Sequence, residues 1–110
     1  MFSIIIPVYN SESTISDCIH SVLFQSFTEF EILVIDNNST DQTLLIISEI
    51  NDSRIKVFSG KDQGVYDAMN KGIRYAKGKW IYFLGSDDLL KNEFVLEILF
   101  NEIQTTDLPI

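Results

Sequence analysis

Trp80-Ile81-Tyr82-Phe83-Leu84-Gly85-Ser86-Asp87-Asp88 is an apolar, aromatic-rich run that breaks at Gly-Ser and ends in two adjacent carboxylates. Such a run reads as a buried strand. The break delivers both acids where the chain leaves the sheet. Adjacent carboxylates repel each other and lose hydration in a fold, so the pair works against stability. A divalent cation removes that cost. Asp87 and Asp88 therefore read as a metal and phosphate site, and the rest of the chain as the sheet that positions it.

The other strands are found by the same reading. Phe2-Ser3-Ile4-Ile5-Ile6-Pro7-Val8 is β-branched and nearly continuously apolar, as a strand buried on both faces should be. Pro7 has no N–H to give a ladder and marks the strand's end. Tyr9 and Asn10 follow, with Ser11 or Ser13 as the cap of a helix whose stripe is Ile15, Cys18, Ile19, Val22 and Leu23. His20 falls off that stripe and reads as solvent-facing. Phe30–Ile35 is a second buried strand, closed by Asp36-Asn37-Asn38. Ser39 with Gln42 fits a capping box for a helix carrying Leu44, Leu45, Ile47 and Ile50. Arg54–Phe58 alternates and reads as a strand with one more exposed face.

A polar loop through Asp62 and Gly64 leads to a helix from Val65 to Ala76, with Val65, Met69, Ile73 and Ala76 on one side. Gly72 inside that helix implies close packing or a functional reason, and Gly78 stands as its C-cap. After the acid pair, Phe94, Val95, Ile98, Leu99 and Ile103 make a last amphipathic helix, with Glu93, Glu97 and Glu102 on its solvated face. Gln104–Ile110 reads as a frayed or truncated end.

Repeated strand–helix units imply a parallel sheet with helices on both faces. Ligands of such sheets bind outside the carboxyl ends of the strands. Each strand here ends in polar residues there: Tyr9-Asn10, Asp36-Asn37, Asp62 and Asp87-Asp88. No P-loop, dinucleotide fingerprint or Cys/His cluster is present. The phosphate strategy left is a hard cation, Mg2+ or Mn2+, on carboxylates.

The 110 residues make one domain, 1–110, with 45% hydrophobic residues and a formal charge of -8. That charge disfavours nucleic acid as a partner. A single cysteine, Cys18, makes no internal disulfide and reads as a buried core thiol, so the cytoplasm is the expected compartment. No apolar run approaches the roughly 20 residues of a membrane helix.

Five stretches carry a resemblance. They are Ser3–Asn10, Ser21–Ser26, Val34–Asp41, Asp62–Ile73 and Ala76–Asp88. In this order they resemble the N-terminal, nucleotide-sugar-binding half of family 2 glycosyltransferases of the GT-A fold, and Asp62–Ile73 is similar to the bacterial surface-polysaccharide branch. The resemblance implies a Rossmann-like α/β domain of an inverting, metal-assisted transferase. Its donor is a nucleotide-diphosphate sugar such as a UDP-sugar, and its acceptor a glycan or lipid-linked molecule. It implies that Pro7 and Tyr9 lie against the base and that Asp36 and Asn37 read it. Asp62 and Asn70 contact the donor, Asp88 is the metal ligand, and Asp87 lies near ribose and metal. The cofactor is Mg2+ or Mn2+.

Three departures from the family pattern stand out. Asn37 replaces a second acid, though its amide oxygen can accept from a uracil N–H. Met69 replaces an arginine. The acceptor half and its general base are expected beyond residue 110, so this piece should bind donor and transfer nothing. The compartment then extends to the inner face of the membrane by peripheral association. A sheet ending after four strands exposes an apolar edge, which suits a homodimer. Two other classes fit less well. A nucleotidyltransferase calls for a basic glycine-rich loop after the first strand, and a non-catalytic Mg2+-binding α/β module calls for an acid pair there. This chain has Pro7-Val8-Tyr9-Asn10 instead.

Overall fold

The structure, a computed structural model, describes residues 1–105. Four strands and four helices alternate: β1 (Phe2–Val8), α1 (Ile15–Leu23), β2 (Phe30–Asp36), α2 (Thr43–Ser48), β3 (Ile55–Ser59), α3 (Val65–Tyr75), β4 (Trp80–Phe83) and α4 (Val95–Thr105). The strands form one parallel sheet in the order β3-β2-β1-β4. The two most β-branched runs, β1 and β2, take its centre, where both faces are buried. The reversal of strand order beside β1 opens a crevice at the carboxyl edge.

Helices cover both faces, as expected. On one face Ile4, Ile6, Ile32 and Val34 pack against the α1 stripe of Ile15, Cys18, Ile19 and Val22, with Ile47 of α2 and Leu96 of α4. On the other face Ile5, Leu33 and Ile35 meet Ala68 of α3. Among the described residues no helix is long and apolar enough to cross a membrane.

Several local expectations are corrected. The Trp80–Leu84 run is not buried on both faces. It forms an edge strand in which Ile81 and Phe83 are each 40% exposed. α3 does not bury the stripe of Val65 and Ile73, both of which are exposed; its inward residues are Ala68 and Gly72. A Cβ on Gly72 would lie 2.5 Å from the Ile5 side chain, so the helix sits too close to the sheet for larger residues. In α4 the inward positions are Leu96, Val95, Leu99, Phe100 and Ile103, whereas Phe94 and Ile98 are exposed. α1 and α2 have no side-chain cap: Thr14 and Gln42 hold those positions. The end expected at Gln104–Ile110 is helical through Thr105, and 106–110 lie outside the described residues. Gly78 is not the C-cap, a position held by Ala76. Its N–H donates to Ser3 Oγ at 2.8 Å, and a Cβ there would stand 2.7 Å from the Ser3 backbone nitrogen.

Two buried polar side chains fasten the fold. Glu31 on β2 is 4% exposed. Its Oε2 accepts from Ser3 Oγ at 2.6 Å and from the Lys77 N–H at 2.7 Å, and its Oε1 accepts from Lys56 Nζ at 3.3 Å. Burial by itself would raise this carboxyl's pKa, but those donors outweigh it and hold the pKa below the ordinary 4.5. Gln25 is the second. Its Nε2 donates to the carbonyls of Ser21 and Asn92, and its Oε1 accepts from the Leu96 N–H at the start of α4. Gln25→Ala leaves those groups unpaired and is expected to cost about 1–3 kcal/mol. A lowered urea midpoint at unchanged slope is the check.

Candidate functional site

At the carboxyl edge of the sheet a cleft of about 340 Å³ opens. Pro7, Val8 and Tyr9 from the end of β1 line it, as do Val65 and Ala68 of α3. Its polar lining is Asn37, Asp62 and Ser86, with Gly64 at the mouth of α3. An apolar slot with a few polar groups is the usual form of a small-molecule site. Of the residues singled out in the sequence, Pro7, Tyr9, Asn37 and Asp62 come together here.

The loops that carry these residues are cross-braced. Asn10 and Asn38 take φ of 46° and 52°, a left-handed conformation that asparagine tolerates better than most residues. The Asn10 N–H donates to Ser39 Oγ at 2.9 Å, and its Oδ1 accepts from the Thr40 N–H at 2.8 Å. The Ser11 N–H donates to Thr43 Oγ1 at 2.8 Å. The loop after β1 thus rides on the loop after β2. The Asp62 N–H donates to Asn37 Oδ1 at 2.9 Å, and Asp62 Oδ1 accepts from the Gly64 N–H at 3.1 Å. Gly64 has φ of 118°, which a side chain would strain.

Asp36 is placed differently from Asn37. It is fully buried. Its carboxylate accepts from Ser39 N–H and Oγ and from Ser59 Oγ, and it is not among the residues lining the cleft. It braces the loop. Asn70 is exposed on α3 and does not line the cleft either. Lys71 Nζ donates to the Lys61 carbonyl at 2.7 Å and stands 3.8 Å from Asp67, so it is engaged locally.

The acid loop adjoins the cleft through Ser86. The Leu84 N–H donates to the Ile5 carbonyl at 3.0 Å, which continues the sheet by one bond. The Asp88 N–H then donates to the Gly85 carbonyl at 3.0 Å and closes a tight turn. The Ser86 and Ser11 hydroxyls are hydrogen-bonded at 2.8 Å and tie this turn to the loop after β1. Asp87 and Asp88 are exposed and converge over Gly85: a Cβ there would lie 2.8 Å from Asp88 Oδ2 and 3.2 Å from Asp87 Oδ1. A side chain at Gly85 would push those carboxylates aside. The Cys18 Sγ donates to the Gly85 carbonyl at 3.4 Å. Burial, then the charges of Asp88 and Asp87, push its thiol up to about 12, which makes it a protonated core group and no nucleophile.

Among the described residues no three His, Cys, Asp or Glu side chains gather to hold a metal. The pair alone still suits Mg2+ or Mn2+, which bind through one or two carboxylates and complete their shell with phosphate oxygens and water. Ser86, Ser11 and Gly64 were not singled out as site residues in the sequence. Ser86 beside the acids and Gly64 two residues after Asp62 were the available signals.

Comparison with known proteins follows this geometry. The chain matches glycosyl transferase family 2 over residues 3–108. It is 42% identical over 100 residues to the Escherichia coli UDP-Glc:alpha-D-GlcNAc-diphosphoundecaprenol beta-1,3-glucosyltransferase WfgD, a match covering 89% of this chain and 40% of that one. The structure of S. aureus TarS 1-349 in complex with UDP-GlcNAc superposes with a TM-score of 0.87 at 35% identity, covering 94% of this chain and 31% of TarS. The mannosyltransferase PcManGT from Pyrobaculum calidifontis, in complex with GDP-Man and Mn2+, shares the fold at a TM-score of 0.79 and 22% identity, covering 86% of this chain and 30% of that one. The chain spans less than half the length of each.

Proposed function

The chain belongs to glycosyl transferase family 2, and from that premise we propose that it is the donor-binding part of an inverting transferase that moves a sugar from a UDP-sugar to a glycan or lipid-linked acceptor. The single observation that carries this reading is the adjacency of an apolar cleft of about 340 Å³ to a carboxylate pair over a glycine. A nucleoside diphosphate has the same order of parts, a flat base at one end and two phosphates at the other. TarS with its UDP-GlcNAc and WfgD with its UDP-Glc support uridine as the nucleoside.

In this reading Pro7 and Tyr9 pack against one face of the base, and Val65 and Ala68 close the slot from α3. Asp87 and Asp88 would hold Mg2+ or Mn2+, which would supply Lewis-acid charge beside the diphosphate. The Ser11–Ser86 bond fixes the distance between base slot and acid turn. The group that takes the acceptor's proton is assigned to an acceptor half beyond residue 110. With a lipid-linked acceptor the reaction takes place at the inner face of the membrane, where the enzyme associates peripherally.

Calorimetric titration of the chain with UDP and GDP, each with and without Mn2+, tests the proposal. UDP is expected to bind, and Mn2+ to tighten it at least tenfold. Preference for GDP, or UDP affinity indifferent to Mn2+, would overturn it.

A further inference from the structure

The Ser21–Ser26 stretch is one of the five that carry the resemblance, and the function proposed above does not use it. Its bonds run to the segment on either side of the acids. Ser21 Oγ donates to the Cys18 carbonyl at 2.7 Å and accepts from the Leu90 N–H at 3.1 Å. Three residues earlier on α1, Cys18 Sγ donates to the Gly85 carbonyl at 3.4 Å. Four residues later, just past the end of α1, Gln25 holds the Asn92 carbonyl at 2.6 Å and the Leu96 N–H at 3.0 Å. Residues three and four apart lie on one side of a helix. Positions 18, 21 and 25 thus form a row that meets Gly85, Leu90, Asn92 and Leu96 in chain order. The acid turn lies between the first two of these contacts.

Asp87 and Asp88 have no such support of their own. Both are exposed, and among the described residues no hydrogen bond or ion pair holds either carboxylate. Their like charges drive them apart, so the backbone on each side decides whether they converge. Before them, the Leu84 N–H bond to the Ile5 carbonyl ties the chain to the sheet. After them, the first tie to another element is the Ser21 bond to Leu90, a residue only 6% exposed. A thiol is a weak donor, so the Ser21 hydroxyl is the firmer of the two α1 contacts that flank the acids. We propose that Ser21 is a positioning residue for the cation: by holding Leu90 it keeps the Asp87 and Asp88 carboxylates converged over Gly85. This rests on the donor-site reading and deepens it. The cleft that would take the base is lined by neither Ser21 nor Leu90. The effect of Ser21 therefore belongs to the metal-dependent part of nucleotide binding.

UDP titrated with and without Mn2+ into the wild-type chain, Ser21→Ala, Ser21→Thr and Glu31→Ala tests it, at a temperature where all four are folded by circular dichroism. Losing a group that orients metal ligands costs about ten- to a hundredfold in metal affinity. Ser21→Ala is therefore expected to cut the Mn2+ enhancement to below about threefold, with metal-free UDP affinity within about twofold of wild type. Ser21→Thr keeps the hydroxyl and should restore the enhancement. Glu31→Ala loosens the fold at the amino end of the sheet, where Glu31 holds Ser3 and Lys77, and should keep the enhancement. If Ser21→Ala does not fold, Ser21→Cys replaces it with the same expected loss, because sulfur is a weak acceptor. Full enhancement in the variant without the hydroxyl, an equal loss in Glu31→Ala, or no recovery in Ser21→Thr would overturn the assignment and leave the donor site standing. A wild-type chain that binds no UDP, or binds it without regard to Mn2+, would remove the donor site and the assignment with it.

Discussion

Replacing Glu31 with alanine is expected to destabilise the chain by about 3 kcal/mol. The change leaves the Ser3 hydroxyl without an acceptor in a buried place and the Lys77 N–H without one in a partly buried place, and a buried group left so costs about 1–3 kcal/mol. The Lys56 contact adds little, since that ammonium is 43% exposed and screened. For a domain of this size the loss lowers Tm by about 15 °C. Glu31→Gln retains one acceptor and should recover part of it. The pH dependence follows from linkage. The folded-state pKa of Glu31 lies below its ordinary 4.5, so its contribution is complete above that value and is lost as pH falls through the lower folded pKa. Melting curves of wild type and Glu31→Ala should therefore converge on acidification. A gap that stays constant from pH 7 to pH 3 would contradict this account.

The second large effect concerns function. If the proposed donor site is right, Asp88→Asn in a transferase that contains this half is expected to slow sugar transfer by about 100- to 1000-fold, the loss of about 3–4 kcal/mol of charge stabilisation at the departing diphosphate. In the chain described here the same change should abolish the Mn2+ enhancement of UDP binding. Stability should move the other way: removing one of two converging carboxylates relieves their repulsion, so Tm holds or rises. A fall in activity with a matching fall in Tm would indicate a structural role instead. Holding like charges together at the expense of stability is the common signature of a functional site.

The central strands were legible in the sequence because burial on both faces demands an unbroken β-branched run, and few other arrangements tolerate one. The α1 stripe was legible because four of its residues point one way at helical spacing. α3 was not. Its contact with the sheet depends on absent volume at Ala68 and Gly72, and a pattern of large apolar residues at Val65 and Ile73 points to the wrong face. The edge position of β4 was hidden for a related reason: hydropathy reports an apolar run but not how many neighbours the strand has.

At the site, Pro7, Tyr9, Asn37 and Asp62 line one cleft because each stands at or near the carboxyl end of a strand, a placement the sequence shows. Asp36 was grouped with them because adjacent residues at a strand's end look alike in sequence. Successive side chains point to opposite faces, so one of such a pair reaches a cleft and the other a different set of partners. The Asn37–Asp62 bond joins residues 25 positions apart, and no local pattern encodes it.

β4 has four residues and, among the described residues, pairs with β1 alone, while the cleft is lined by the ends of the central strands and by α3. Opening an edge strand costs less free energy than opening the middle of a sheet. The two ends of the site are therefore unequally anchored. Among the described residues the acid turn is the end of the cleft with the weaker hold on the sheet, and hydrogen exchange should be faster in Tyr82 and Phe83 than in Ile5 and Leu33.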